Sequence, residues 1–329
     1  MTQTFTVSSA VQLAVVERSG FVESRHSGAA VVLDADGTVV EVLGDVETPI
    51  LPRSSMKPLQ ALGCVTAGAG VEGERLALAT ASHSGTDRHV GVVRDILDMA
   101  GLDESALRCP AAWPGDTAAR DGMVRAGAEP ARVRMNCSGK HATMLLACMA
   151  NGWDTTSYLD PAHPLQQHLR EVIERLTGTR AAATAVDGCG APVYAMGLTS
   201  LARAIHRIGT ASEKSPFALH RTAGALVRAV REHPWTIDGP GRADTIAIEQ
   251  TGVFAKGGAE GVMVMVAPNG VTTALKVLDG SARASTAIAL ALLEKHGGLT
   301  TSEVAATMAL LPLTITGGDG EVGAIRPTV

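Results

Sequence analysis

A chain of 329 residues, 46% hydrophobic and 19% charged, is long enough to bury a sizeable core and reads as an ordinary globular protein. A net charge of -5 with only 3% aromatic residues excludes a basic, stacking surface for nucleic acid. No run approaches the roughly 18 to 20 apolar residues that cross a bilayer, and the start "MTQTFTVSSAVQLAVVERSG" lacks the basic and apolar blocks of a signal peptide, so a cytoplasmic location is the expectation.

The first fifty residues predict strands. "AVVERSGFVESRHSGAAVVLDADGTVVEVLGD" holds apolar runs, with Asp36-Gly37 as a hairpin turn between two of them. A helix follows over residues 58–68, where Leu59, Leu62 and Val65 recur and Gly68 and Gly70 stop the pattern. Further helices are predicted at about 87–100 and 117–127, and another in "NCSGKHATMLLACMANGW", with Ser138 as its cap and Asn151-Gly152 at its end. Residues 163–177 and 193–208 are amphipathic. Strands return in "GVFAKGGAEGVMVMVAPNGVTTALKVLDGS", where Asn269-Gly270 is the strongest short hairpin signal in the chain, and a helix at about 283–296 follows. Strands at both ends with helices between them predict an α+β fold. Its antiparallel sheet is assembled from both termini around a helical subregion at about 58–250, all in a single domain over 1–329.

Chemistry concentrates around the lysines, of which there are only six among the 28 basic residues. In "RSSMKPLQ", Ser54-x-x-Lys57 places a hydroxyl and an amine one helical turn apart, and Pro58 is tolerated there because a first-turn N–H has no intrahelical partner. A lysine desolvated at a helix N-terminus loses its charge readily and becomes a base for the serine. The plainer reading is a capping serine and a solvated lysine. "TASHSGTDRHV" sets Ser82, His83 and Ser84 in a turn before a helix, where they could bind a substrate carboxylate or relay protons, or where Ser84 or Thr86 could simply cap. "RMNCSGKHAT" brings Cys137 and Lys140 to a helix start, which suits a thiolate and disfavours a cation. "DGCGAPVYAMG" places Asp187 and Cys189 in a glycine-rich turn. The five cysteines (Cys64, Cys109, Cys137, Cys148, Cys189) are odd in number and widely spaced, so they read as reduced. From spacing alone, Cys137 and Cys189 are structural rather than metal ligands. Finally, Lys256-Gly257-Gly258 on a C-terminal strand resembles the third element of serine β-lactamases, whose first element is Ser-x-x-Lys.

Taken together, "RSSMKPLQ", "SHSG", "NCSGKH", "YLDPAHPLQ", "DGCGAP" and "KGGAEG" resemble the rhizobial inducible type of L-asparaginase, a family related in fold to glutaminases and serine β-lactamases, over about Val15 to Arg283. The resemblance implies a β-lactamase-like fold and a homodimer that hydrolyses L-asparagine to aspartate and ammonia. It implies two serine-lysine tandems, Ser54 with Lys57, and Ser84 with Lys256, Ser82 being the rival of Ser84. It further implies one zinc ion per chain, held by Cys137, Cys189 and Lys140 with Asp187 alongside, which reverses the structural reading of the two cysteines. By analogy with the related enzymes, the oxyanion would be met by the backbone N–H groups of Ser54 and Ala259, with Arg53, His83 and Glu260 available for the substrate's α-groups. Two competing readings are a glutaminase or penicillin-recognising hydrolase of the same fold, disfavoured in its second form by the lack of a Ser-Asp-Asn or Tyr-x-Asn element, and a zinc-dependent thiol sensor or binding protein.

Overall fold

A computed structural model describes residues 3–329. Three strands open the chain, β1 (Val11–Arg18), β2 (Phe21–Leu33) and β3 (Val39–Leu43). After a 3-10 turn at Arg53–Met56 come α1 (Lys57–Thr66), α2 (Gly73–Ala79), α3 (Asp87–Met99), α4 (Thr117–Arg125), α5 (Ser138–Asn151) and α6 (Pro164–Thr177). A short hairpin, β4 (Ala183–Val186) and β5 (Pro192–Ala195), precedes α7 (Leu198–Gly209), α8 (Ala218–Glu232) and α9 (Ala243–Thr251). The chain closes with β6 (Phe254–Gly258), β7 (Val262–Val266), β8 (Thr272–Val277), α10 (Ser285–Lys295), α11 (Thr301–Met308), β9 (Thr314–Gly317) and β10 (Gly320–Pro327).

The large sheet runs β6-β7-β8-β2-β1-β10-β9, with β3 on β2, and every pairing is antiparallel. The fold is therefore α+β, with its sheet built from both termini around a helical middle. The thirteen-residue β2 is the seam: residues 28–33 pair with β8, residues 21–28 pair with β1, and residues 30–33 pair with β3. Every residue of β7 and β8 is buried, which requires cover on both faces of the sheet, and α7 and α10 pack against these strands. Asn269 and Gly270 form the β7–β8 turn, where Gly270 sits at φ +99°.

Some boundaries differ from the sequence reading, each for a local reason. Residues 192–195 form β5, paired with β4, so the predicted helix over 193–208 begins only at Leu198. Ser138 is the first helical residue of α5 and not its cap, because its hydroxyl donates to Val133 O (2.7 Å). Thr86 caps α3, accepting from the His89 N–H. Short α1 is held by burial more than by propensity: Leu59 and Leu62 are fully buried, each contributing about 1.5 to 3 kcal/mol by removal from water. Among the described residues, no helix is long and apolar enough to cross a membrane.

Candidate active site

The 3-10 turn at Arg53–Met56 lies against β6, and that approach explains a glycine. A Cβ at Gly258 would stand 2.6 Å from Pro52 O and 3.1 Å from Ser55 N, so only glycine lets the strand sit this close to the turn. Arg53 and Glu260 both have positive φ (53° and 61°), two of the three such non-glycine residues among those described. Residues held in that region concentrate at functional sites, and these two face each other, with Arg53 Nη1 3.8 Å from Glu260 Oε1.

Beside the turn opens a cavity of about 580 Å³ lined by Ser54, Ser82, Asn136, Asp244, Lys256 and the Gly257–Ala259 backbone. Ser82 reaches it because its segment is stitched on two sides, Ser82 N–H to Ile237 O (2.8 Å) and His83 N–H to Asn136 O (3.1 Å). The Lys57 amine, fully buried at the start of α1, donates to Ala81 O (2.5 Å) and to Ser82 Oγ (2.9 Å). Burial pushes its pKa down, the nearby Lys256 and Lys140 push the same way, and the Cys137 sulfur partly opposes. Ser54 Oγ makes no hydrogen bond among the described residues and faces the cavity half-exposed.

The serine in contact with Lys57 is thus Ser82, and of the two serines in "SHSG" it is Ser82 that lines the cavity with Lys256. Ser84 Oγ is buried without a hydrogen-bond partner, packed against Gly239. Lys256 donates to Gly257 O (2.6 Å) and lies 3.6 Å from Asp244 Oδ2. The structure does not join Ser84 to Lys256. His83 is also committed elsewhere: its Nδ1 accepts from Gly85 N–H (3.1 Å), which leaves its Nε2–H to bond Ser138 Oγ (2.9 Å). Burial holds its pKa well below the ordinary value, so it is a neutral structural pin rather than a ligand for a carboxylate.

The cysteine region lies where α5 begins. The β4–β5 hairpin carries Asp187 and Cys189 at its tip, closed by Asp187 N–H to Ala191 O (2.9 Å) and Gly190 N–H to Asp187 O (2.8 Å). Lys140 Nζ donates to Cys189 Sγ (3.2 Å), and the Cys137 thiol lies within donor distance of both Cys189 and Asn136 Oδ1. The Cys137 hydrogen bond, reinforced by Lys140 and His141 against burial, holds Cys189 far below an ordinary thiol, while Cys137 is pushed well above one. One proton therefore stays on Cys137 and Cys189 is the thiolate. Burial disfavours the Lys140 charge, but Cys189, Cys137 and Asp187 outweigh it and hold that amine above its usual range. Asp187 itself accepts from Arg53 Nε (2.6 Å), linking this cluster to the turn that carries Ser54.

Among the described residues no three His, Cys, Asp or Glu side chains converge as a metal-ligating set. Two sulfurs and an amine do converge, and that buried soft donor set fits zinc, with Asp187 outside it as the partner of Arg53. Sequence reasoning missed Asn136, Asp244, Lys276 and His141. Lys276 is buried and donates to Glu260 O (2.7 Å), fixing the turn after β6. His141 Nδ1 bonds Tyr158 OH (2.7 Å), and the buried ring also faces Cys189. "NCSGKH" contains both Asn136 and His141, and proximity to Cys137 was the available signal for them.

No curated protein sequence matches the chain. Among solved structures, Mglu in its glutamate form aligns with TM-score 0.47 and 12% identity over 83% of this chain and 61% of its own. Mglu in its native form aligns with TM-score 0.46 and 13% identity over 83% of this chain and 64% of its own. The chain thus spans 61% of the length of the first of these. The model of the L-asparaginase II family matches residues 14–327, nearly the whole chain with its cleft and its cysteine cluster, and the chain accordingly belongs to that family.

Proposed function

We propose that the cleft hydrolyses L-asparagine to L-aspartate and ammonia by acyl transfer through a serine. The observation that carries this reading is the Lys57 amine, fully buried with no carboxylate among its described hydrogen-bond partners, 2.9 Å from the hydroxyl of Ser82, which lines the cavity together with a second serine, Ser54. An amine in that setting is a base. Ser54, on the turn and free of other bonds, attacks the side-chain amide carbon, and its proton passes to Lys57 with Ser82 as relay. The oxyanion is met by backbone N–H groups at Ser54 and Ala259, which lie where the 3-10 turn abuts β6. The C–N bond breaks as the nitrogen takes a proton, ammonia leaves, and water cleaves the β-aspartyl ester to regenerate Ser54.

A second reading makes Ser82 the nucleophile, favoured by its direct hydrogen bond to Lys57. Ammonia release by Ser54→Ala and Ser82→Ala, with mass spectrometry of the quenched wild type in search of an acylated serine, decides between them. An ester on Ser54 and loss of turnover in Ser54→Ala are expected; undiminished turnover in both variants sinks serine catalysis altogether. Asparagine and glutamine differ by one methylene, worth about 1 to 3 kcal/mol in a fitted pocket, so kcat/KM is compared for both.

Cys137, Cys189 and Lys140 would hold the zinc ion. It would supply a fixed positive charge beside Arg53 that binds and orients the substrate. Around it, this chain's own residues do the positioning: Asp187 aims the Arg53 guanidinium, and Lys276 fixes the Glu260 backbone. The reading includes a homodimer, as the family resemblance implies, checked by sedimentation velocity.

A further inference from the structure

Asp244 lies in the first turn of α9 and is nearly fully buried, yet it carries no capping duty there. Its Oδ2 accepts the Gly257 N–H at 2.6 Å and stands 3.6 Å from Lys256 Nζ. The contact is shaped on both sides. A Cβ at residue 257 would come within 3.1 Å of both Asp244 carboxylate oxygens, so glycine is what admits the carboxylate to the strand. The other charges facing Lys256 are Asp238 and Arg242, which pair with each other at 2.7 Å on the segment before α9, and Lys57 from α1. Burial and the Asp244 charge both raise the Asp238 pKa.

We propose that Asp244 is a positioning residue for Lys256, holding the β6 backbone through Gly257 and pairing with the Lys256 amine so that it is directed into the cleft. This rests on the asparaginase reading only for its catalytic consequence. The two cleft lysines then divide their work: Lys57, with no carboxylate at its amine, is the base, and Lys256, with Asp244 beside it, is the fixed charge. A carboxylate within about 4 Å stabilises an ammonium against loss of its proton, and a backbone anchor on the adjacent residue limits where that ammonium points.

Asp244→Asn is the discriminating variant, because the amide oxygen still accepts the Gly257 N–H while the charge is gone. Turnover of asparagine should fall roughly 10- to 100-fold in kcat, with KM changed less than about threefold. In a Lys256→Met background the same substitution should cost nothing further, since the carboxylate acts through the lysine. An equal loss in both backgrounds overturns the proposal. A second measurement does not need turnover: acetylation of Lys256 by dilute acetic anhydride, read by mass spectrometry against exposed Lys214. Ammonium nitrogen does not react, so Asp244→Asn should speed Lys256 labelling at least about fivefold. Unchanged labelling in the folded variant overturns the proposal. Gly257→Ala, which crowds the carboxylate without removing it, should also speed labelling, and supplies the test if Asp244→Asn does not fold. If the wild type releases no ammonia from either amide, the asparaginase reading fails while the labelling still decides the Asp244–Lys256 contact.

Discussion

Two helix starts carry the same local feature with opposite results. Lys57 begins α1 and Lys140 lies in the first turn of α5, and both amines are buried within 2% of complete. Burial and the helix dipole disfavour charge at each. Lys57 has a carbonyl and a hydroxyl for partners, with the Cys137 sulfur too weak to offset burial, and its pKa is lowered; Lys140 has the Cys189 thiolate and Asp187 as well as Cys137 around it and its pKa is raised. Partners decide protonation where burial alone would not. One amine is thereby a base in a substrate cleft, and the other is a counter-ion, or a metal ligand once it gives up its proton.

The comparison breaks most visibly by putting methionine at both positions. Lys57→Met should lower kcat by roughly 10²- to 10⁴-fold, the range for loss of a general base, while leaving stability unchanged or improved, because a desolvated amine is replaced by an apolar chain. Lys57→Arg should be as inactive, since guanidinium keeps the charge and cannot act as a base. Ammonia-release kinetics with thermal melts check both, and a Lys57→Arg enzyme of near-wild-type kcat would remove the base from the mechanism. At the other helix start, Lys140→Met should cost stability, about 1 to 3 kcal/mol, by removing the cationic donor to the Cys189 thiolate. It should also empty the purified protein of zinc by elemental analysis. Equal stability effects at the two lysines would contradict the contrast.

A third helix start extends it to pH. His89, in the first turn of α3, hydrogen-bonds Trp235 O (3.0 Å) through Nε2 and Thr86 through Nδ1. Burial lowers its pKa to about 4, with Trp235 O opposing and Arg88 assisting. The folded value lies below the unfolded one near 6.5, so its contribution to stability is complete above about pH 6.5 and is lost as pH falls toward 4. The full swing is about 3 kcal/mol. Denaturant midpoints of wild type and His89→Gln across that window should converge as pH falls; parallel curves would assign the acid sensitivity elsewhere.

What was legible in the sequence follows the same division between local and distant causes. Helices α3, α5 and α6 were visible from apolar spacing, and the β7–β8 turn from Asn269-Gly270, because those signals lie within one element. The pairing of β10 with β1 was not, since Ala14 and Pro327 meet from opposite ends of the chain. In the cleft, Ser54, Lys57 and Lys256 were legible as residue types in short motifs. The choice between Ser82 and Ser84 was not, because the backbone of an irregular segment between α2 and α3 decides which hydroxyl faces the cavity. Asp244 carried no local signal at all: it meets Gly257 only because α9 folds back on β6. Helix α8 differs from these, since its apolar stripe of Ala223, Leu226, Val227 and Val230 is a signal contained within one element.

The smallest expected effect lies where the two regions touch. Asp187 contributes to the raised pKa of Lys140 on one side and accepts from Arg53 Nε at 2.6 Å and Gly188 N–H at 2.9 Å on the other. Asp187→Asn keeps an oxygen acceptor in the same place and removes the charge. A charged hydrogen bond becomes a neutral one, a difference of about 0.5 to 1.5 kcal/mol. Arg53 stays near its place with less to hold it, so substrate binding should weaken by roughly two- to tenfold in KM while kcat holds, because neither Ser54 nor Lys57 bonds Asp187. Lys140 keeps both sulfurs, so the zinc content should also hold. A fall in kcat with KM constant would instead place Asp187 among the groups that act on the transition state, and would join the cysteine cluster to the chemistry rather than to binding.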